Sequence, residues 1–194
     1  MDSRERLQKR INGVTKDDVM LGFLVSGALE AMRQSLGREP VNAIWKQVAG
    51  DSSLFAFFKY PVSWLMETLR QASTLKGAPQ DFDHFLRQTA QGMVMRSLDT
   101  PLGKTMALLG KSSPHKLISS AVTAVMTMFS FSQSRYDETG PRSCTVTVTE
   151  QHLGPVFYGT CVETTVNAMT KEKCTVTPEP RNDSGTDFVL SVRW

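Results

Sequence analysis

The chain has 194 residues, of which 40% are hydrophobic and 21% are charged, and these proportions are typical of a globular domain with a substantial core. A net charge of +3 is too small to indicate a nucleic-acid partner, and the charged N-terminus lacks the apolar segment of a signal peptide. Three cysteines, an odd and sparse number, favour a reducing compartment over a disulfide framework, so we expect a cytoplasmic location.

The first two thirds of the chain are predicted to be helical. Residues 1–14 form a basic lead-in, and residues 15–134 carry about six helices marked by capping residues, prolines or terminal glycines. The predicted helices cover about 16–36, 40–49, 64–74, 81 or 83 to 94, 101–109 and 114–129. The uncharged stretch 117–134 has eight Ser, Thr or Gln residues, which predicts a buried helix and no membrane span.

Residues 144–194 are predicted to form a sheet crossed by one helix. Cys144–Thr149 alternates apolar and hydroxyl side chains, which is typical of a strand with one buried face. The other predicted strands cover about 156–158, 173–177 and 187–194, and a helix with Val162, Val166 and Met169 on one face begins at Thr160. The expected architecture is α+β: one domain over 1–194, in which the helical layer packs on a four-stranded antiparallel sheet in the order β-β-α-β-β.

Two short segments imitate part of a phosphate-binding loop. Gly103-Lys104-Thr105 and Gly110-Lys111-Ser112 match the last three positions of the motif, but Leu98 and Thr105 replace its first glycine. Both segments also lie in a region predicted to be helical, with no strand before them, so we do not predict nucleotide binding.

No other residue pattern indicates catalysis or metal binding. None of the histidines, His84, His115 and His152, stands three or four residues from another histidine or cysteine. The sequence contains no nucleophile elbow and no cysteine motif that implies a paired histidine. We therefore predict no catalytic, metal-binding or cofactor-binding residue, and we do not expect an enzyme.

Methionines are concentrated in the second half of the helical part. Met93, Met95, Met106, Met126 and Met128 lie close together in the sequence, beside Phe129 and Phe131. Methionine fills irregular cores and also lines adaptable apolar sites, so both interpretations stay open. If a pocket exists between the helices and the sheet, the residues predicted to line it are Trp64, Met93, Met106, Met126 and Phe129.

Four segments carry a family resemblance that covers the chain from about residue 15 to its end. Val19–Glu30, Tyr60–Glu67, Gly103–Gly110 and Phe188–Trp194 resemble the paralogous myxobacterial-type family called domain of unknown function 2378. That family is similar in layout to haem nitric-oxide-binding sensors, V4R small-molecule sensors and the Bet3-type subunits of TRAPP tethering particles. The resemblance implies a regulatory or scaffolding domain with an apolar cavity, often paired through its helices.

The sequence departs from these relatives at their cofactor motifs. Haem sensors carry Tyr-x-Ser-x-Arg before the sheet, whereas this chain has Phe131-Ser-Gln-Ser-Arg135 and no histidine that matches the axial ligand. V4R sensors carry a cysteine cluster near the C-terminus, whereas residues 179–187 contain no cysteine. We therefore expect neither haem nor a metal.

Three functional hypotheses result. The first is a non-catalytic cytoplasmic scaffold in bacterial signalling that binds protein partners and forms a homodimer through its helices. The second is a sensor that binds an apolar small molecule, such as an acyl chain, in the methionine-rich cavity. The third, an uncharacterised enzyme, has the least support in the sequence.

Overall fold

The computed structural model describes residues 3–100 and 113–194. Within these ranges the helices are α1 (Ser3–Gly13), α2 (Gly22–Leu36), α3 (Arg38–Ala49), α4 (Val62–Ala72), α5 (Phe82–Leu98), α6 (Pro114–Met128) and α7 (Gly154–Met169). The strands are β1 (Val19–Leu21), β2 (Lys59–Pro61), β3 (Gln133–Gly140), β4 (Ser143–Thr149), β5 (Thr175–Pro180) and β6 (Phe188–Arg193). The predicted helix over 101–109, the two Gly-Lys segments and Met106 lie outside the described residues.

The C-terminal part is a four-stranded antiparallel sheet, which confirms the predicted α+β class and the β-β-α-β-β order. Its strand order is β3-β4-β6-β5, and α7 connects β4 to β5. The alternation in β4 has the predicted cause, because Cys144, Val146 and Val148 are at most 1% exposed. Val146 lies opposite Leu190 of β6, so the two central strands share one buried face.

The observed strands differ from the predicted strands at both edges of the sheet and at residues 156–158. β3 is not among the predicted strands, because its side chains are mostly polar and it pairs only with β4. β5, at the other edge, contains Pro178 and Pro180, which edge strands tolerate. The predicted strand at 156–158 is wrong: these residues belong to α7, where Pro155 stands in the first turn.

A second, two-stranded sheet shortens the first predicted long helix. β1 pairs antiparallel with β2, so α2 begins at Gly22 rather than near residue 16. Phe129 adds a single bridge to Met20, which ties the end of α6 to this small sheet. The basic lead-in is itself helical, and in α1 it buries Leu7 and Arg10.

The buried apolar side chains form two clusters. The larger lies among the N-terminal helices and includes Leu29, Leu65 and Phe85. The smaller lies between α6, α7 and the sheet and includes Leu117, Val146 and Phe188. Val125 of α6 packs against both clusters, so α6 lies where the helical part meets the sheet. None of the described helices is long and apolar enough to cross a membrane.

Candidate ligand-binding cavity

A cavity of about 140 Å³ lies between α5, α6 and α7. Phe23 and Leu24, in the first turn of α2, form another part of its wall. The cavity therefore adjoins both buried clusters and is lined by segments that are far apart in the sequence.

The wall formed by α7 is a helical stripe. Its residues recur at intervals of three and four, which places them on one side of a helix. They are Phe157, Tyr158, Cys161, Val162, Thr165, Val166 and Met169. The predicted apolar face of the crossing helix, Val162, Val166 and Met169, thus faces the cavity.

The opposite wall is α6, which is fixed at both ends. At its start the Ser113 hydroxyl caps the first turn by accepting a hydrogen bond from the Lys116 amide at 3.2 Å, and His115 forms a hydrogen bond with the Tyr136 hydroxyl of β3. After its last turn, the Ser130 amide donates to the Val19 carbonyl at 2.9 Å, and the Ser130 hydroxyl accepts from the Val19 amide at 2.8 Å. Between these anchors Ala121 and Val125 line the cavity, so the middle of α6 has few partners across it.

Polar groups in the wall already have partners within the protein. The Ser97 hydroxyl donates to the Met93 carbonyl at 2.9 Å, and the Thr165 hydroxyl donates to the Cys161 carbonyl at 2.7 Å. No charged side chain lines the cavity among the residues that the structure describes. The lining therefore offers a ligand mainly apolar contact.

Burial keeps the two titratable groups in the wall neutral. Burial raises the pKa of the Cys161 thiol to about 12. Burial also raises the pKa of the Tyr158 phenol to about 12, although its hydrogen bond with Ser134 opposes this shift. Neither group supplies a nucleophile or a metal-binding anion near neutral pH.

The structure brings together only part of the residue set predicted to line a pocket. Met93 and Phe129 line the cavity. Trp64 instead packs against Trp45 in the helical part, with ring centroids 6.0 Å apart. Met126 lies on the outer side of α6 and is 42% exposed.

The sequence analysis missed most of the cavity wall because it selected residues by type. In α6 the stripe at 117, 118, 122 and 125 indicates the inner face by its spacing, and residue 126 falls outside that stripe. The α7 stripe began too late because Phe157 and Tyr158 were interpreted as strand residues. Helical periodicity extended back to Pro155 would have included both.

Solved structures of H-NOX proteins share this fold. An unliganded Fe(II) H-NOX protein from K. algicida aligns with a TM-score of 0.71 at 16% identity, covering 90% of this chain and 96% of that chain. A Cs H-NOX mutant with an unnatural amino acid gives 0.69 at 10% identity, with 90% and 96% coverage. An oxygen-binding H-NOX domain related to soluble guanylate cyclases gives 0.68 at 11% identity, with 90% and 93% coverage. Of the wider resemblance, these structures support the haem nitric-oxide-binding layout.

The described residues do not place a histidine, the axial ligand expected in the haem sensors, in this cavity. None of the three histidines lines it. His115 forms a hydrogen bond through Nδ1 with the Tyr136 hydroxyl, and His152 Nε2 lies 3.4 Å from Asp18 Oδ2. Residues 101–112 also contain no His, Cys or Tyr in their sequence.

The propionate groups of haem would also lack their anchor. Arg135 is 77% exposed and pairs with Asp137 at 2.9 Å. Phe131 and Gln133 replace the two hydroxyl-bearing residues of the haem-sensor motif. The residues present therefore do not fit haem.

Across residues 3–100 and 113–194, no group of three His, Cys, Asp or Glu side chains is arranged to hold a metal ion.

Comparisons with known sequences show which family the chain belongs to. A comparison with curated proteins gives no match. The profile of the family described as "Protein of unknown function (DUF2378)" matches residues 14–194. Since this match covers nearly the whole sequence and agrees with the four segments singled out above, the chain belongs to the DUF2378 family.

Proposed function

We propose that this protein is a non-catalytic regulatory domain that senses a small, uncharged apolar molecule bound between α5, α6 and α7. The observation that carries the proposal is the cavity itself, which has a volume of about 140 Å³ and no charged side chain among its described lining residues. An engineered apolar cavity of about 150 Å³ stays dry and binds benzene or xenon. The fold agrees with this proposal, because one of its structural neighbours is described as binding oxygen.

The lining defines the chemical class of the ligand. Because Ser97 and Thr165 donate their protons to backbone carbonyls, a polar ligand group would find few free donors. Burying an unpaired carboxylate there would be strongly unfavourable. A compact aromatic or short aliphatic molecule fits, whereas an acyl chain fits only with its hydrocarbon end inside and its carboxylate outside.

The binding event can be transmitted through α6. This helix is tied to β3 at His115 and to β1 at Ser130, while its middle faces the cavity. A ligand would supply the contacts that the middle of α6 lacks and would restrict its motion. Partners that contact the outer side of α6 would then distinguish the filled state from the empty state.

The hypothesis that the chain binds protein partners explains how ligand binding would be passed on to other proteins. Met95 of α5 is 48% exposed and Met126 of α6 is 42% exposed, although α5 and α6 both line the cavity. Exposed methionines are frequent on adaptable protein-binding surfaces. We propose that a signalling partner or a second copy of the chain docks on this helical side.

Binding of benzene tests the sensor proposal. We expect benzene to raise the melting temperature of the wild-type protein and to appear as a bound adduct in native mass spectrometry. Ala121→Phe places a ring in the cavity and should abolish both effects. Met126→Trp, a change of similar kind on the outer side of α6, should preserve both. A wild-type protein that shows neither effect, or equal responses of the two variants, would refute the proposal.

A further inference from the structure

Three phenylalanines protrude from the connection between α3 and β2. Phe55 is 58% exposed, Phe57 is 81% exposed and Phe58 is 65% exposed. We call residues 55–58 the aromatic loop. Single exposed apolar residues are common, but at about 200 Å² for each phenylalanine these three expose about 400 Å², which is the size of the largest apolar patch on a typical monomer, and such patches are often functional.

The aromatic loop is held in a defined shape. The Gly22 amide donates to the Phe58 carbonyl at 2.8 Å, and the Phe23 amide donates to the Ala56 carbonyl at 3.0 Å. A Cβ atom on Gly22 would lie 2.2 Å from the Phe55 carbonyl oxygen, so only glycine allows this close approach. The loop is thereby docked on the first turn of α2.

Tyr60 fixes the other side of the loop. Its hydroxyl accepts a hydrogen bond from the Phe55 amide at 2.8 Å and donates to the Ser53 carbonyl at 2.9 Å. The Phe55 and Phe58 rings also contact each other, with centroids 5.5 Å apart. The three rings are therefore presented to solvent by a preformed turn and need little reorganisation to bind.

Along the chain, the charged residues next to the loop are basic. Residues 52–61 contain no Asp or Glu, and Lys59 is exposed. Lys59 forms no ion pair within the described part of the chain. The nearest acidic residue along the chain, Asp51, is neutralised by Lys46 at 2.9 Å. The patch is thus apolar with an unneutralised cation beside it.

We propose that the aromatic loop docks on the surface of a lipid bilayer, with its phenylalanines in the interfacial region and Lys59 at the level of the anionic headgroups. An apolar surface flanked by a cation matches that interface, because lysine extends its ammonium group into the headgroups while its stem stays apolar. The three rings alone supply about 400 Å², half of the roughly 800 Å² per partner in a stable interface, so a second copy of the chain would need further complementary surface around the loop. A bilayer requires no such complementary surface.

Vesicle co-sedimentation tests this inference. The full chain should bind phosphatidylcholine vesicles and should bind more tightly when they contain phosphatidylglycerol. Phe57→Ser combined with Phe58→Ser should weaken binding to both by about tenfold or more. Lys59→Gln should lower only the preference for phosphatidylglycerol, by about fivefold. Lys173→Gln, which removes an exposed cation from the segment before β5, is the matched control for Lys59→Gln and should bind like the wild type.

Two outcomes would overturn the inference. The first is a wild-type protein that does not bind vesicles, or a double variant that binds them as well as the wild type. The second is a dimer in the absence of vesicles that the double variant dissociates, because the loop would then be an interface between copies. The benzene response of the double variant should equal that of the wild type, so the failure of this inference is distinguishable from failure of the sensor proposal.

Discussion

Filling the cavity should stabilise the protein, and the sign of this effect distinguishes a cavity from an ordinary core. Ala121→Leu adds three carbon atoms to a side chain that faces the 140 Å³ space. At about 0.8 kcal/mol for each buried methylene, the gain in unfolding free energy is up to about 2 kcal/mol. An independent estimate agrees, because about 24 cal/mol per Å³ assigns about 3 kcal/mol to the whole 140 Å³ cavity.

Urea denaturation and thermal melting measure this prediction. A gain of about 2 kcal/mol corresponds to a rise in melting temperature of roughly 4–8 °C for a domain of this size. The benzene-induced shift should shrink in the same variant because less space remains. Met126→Leu, on the exposed side of α6, should leave the stability within about 0.5 kcal/mol of the wild type. If Ala121→Leu instead destabilises the protein by about 1–3 kcal/mol, the site is already filled and the reasoning is wrong.

Three further predictions concern the rest of the structure. Gly154→Ala should lower the unfolding free energy by about 1–3 kcal/mol in urea titrations, because Gly154 has φ +83° and its new Cβ would lie 2.7 Å from the Arg10 guanidinium carbon; Gly13→Ala, which meets no atom within 4 Å, is the control. Burial lowers the pKa of His152 despite the opposing effect of Asp18, so the unfolded state binds more protons than the folded state. The free energy of unfolding should therefore fall as the pH decreases below the ordinary pKa of histidine. His152→Gln should flatten this pH dependence in denaturation curves. Burial raises the pKa of the Cys144, Cys161 and Cys174 thiols to about 12. Iodoacetamide at pH 8 should therefore label them slowly in the native state and quickly in urea, as counted by mass spectrometry. Rapid labelling of Cys161 in the native state would contradict the neutral cavity wall.

Sequence patterns predicted the elements that have one clearly buried face. The alternation in β4 located that strand because Cys144, Val146 and Val148 face the core while their neighbours do not. Capping patterns placed one helix start at residue 81 or 83 and another before residue 114, and the caps are Asp81 and Ser113, whose side chains accept hydrogen bonds from the first turns. In these places the residue pattern that is visible in the sequence is the same one that the folded structure uses for packing or capping.

The remaining elements depend on tertiary contacts that leave little local signal. β3 is mostly polar because it is an edge strand, so its pairing with β4 is visible only in the fold. Trp64 is as apolar as a pocket residue, but its position on α4 directs it toward Trp45 and away from the cavity. Residue type indicated that an apolar site exists, whereas the location of that site can be seen only from the way α6 packs against α7.

The two prolines of β5 have a consequence for assembly. Pro178 lies opposite Leu190 and Pro180 lies opposite Phe188, so their nitrogens, which carry no hydrogen, belong to the unpaired side of the strand. A strand from another molecule that paired with β5 would find backbone donors missing at two alternate positions along this edge. Strand addition to the four-stranded sheet is therefore favoured only at the β3 edge. A fibril grows by pairing at both edges of the sheet in every subunit, and this sheet offers only one suitable edge.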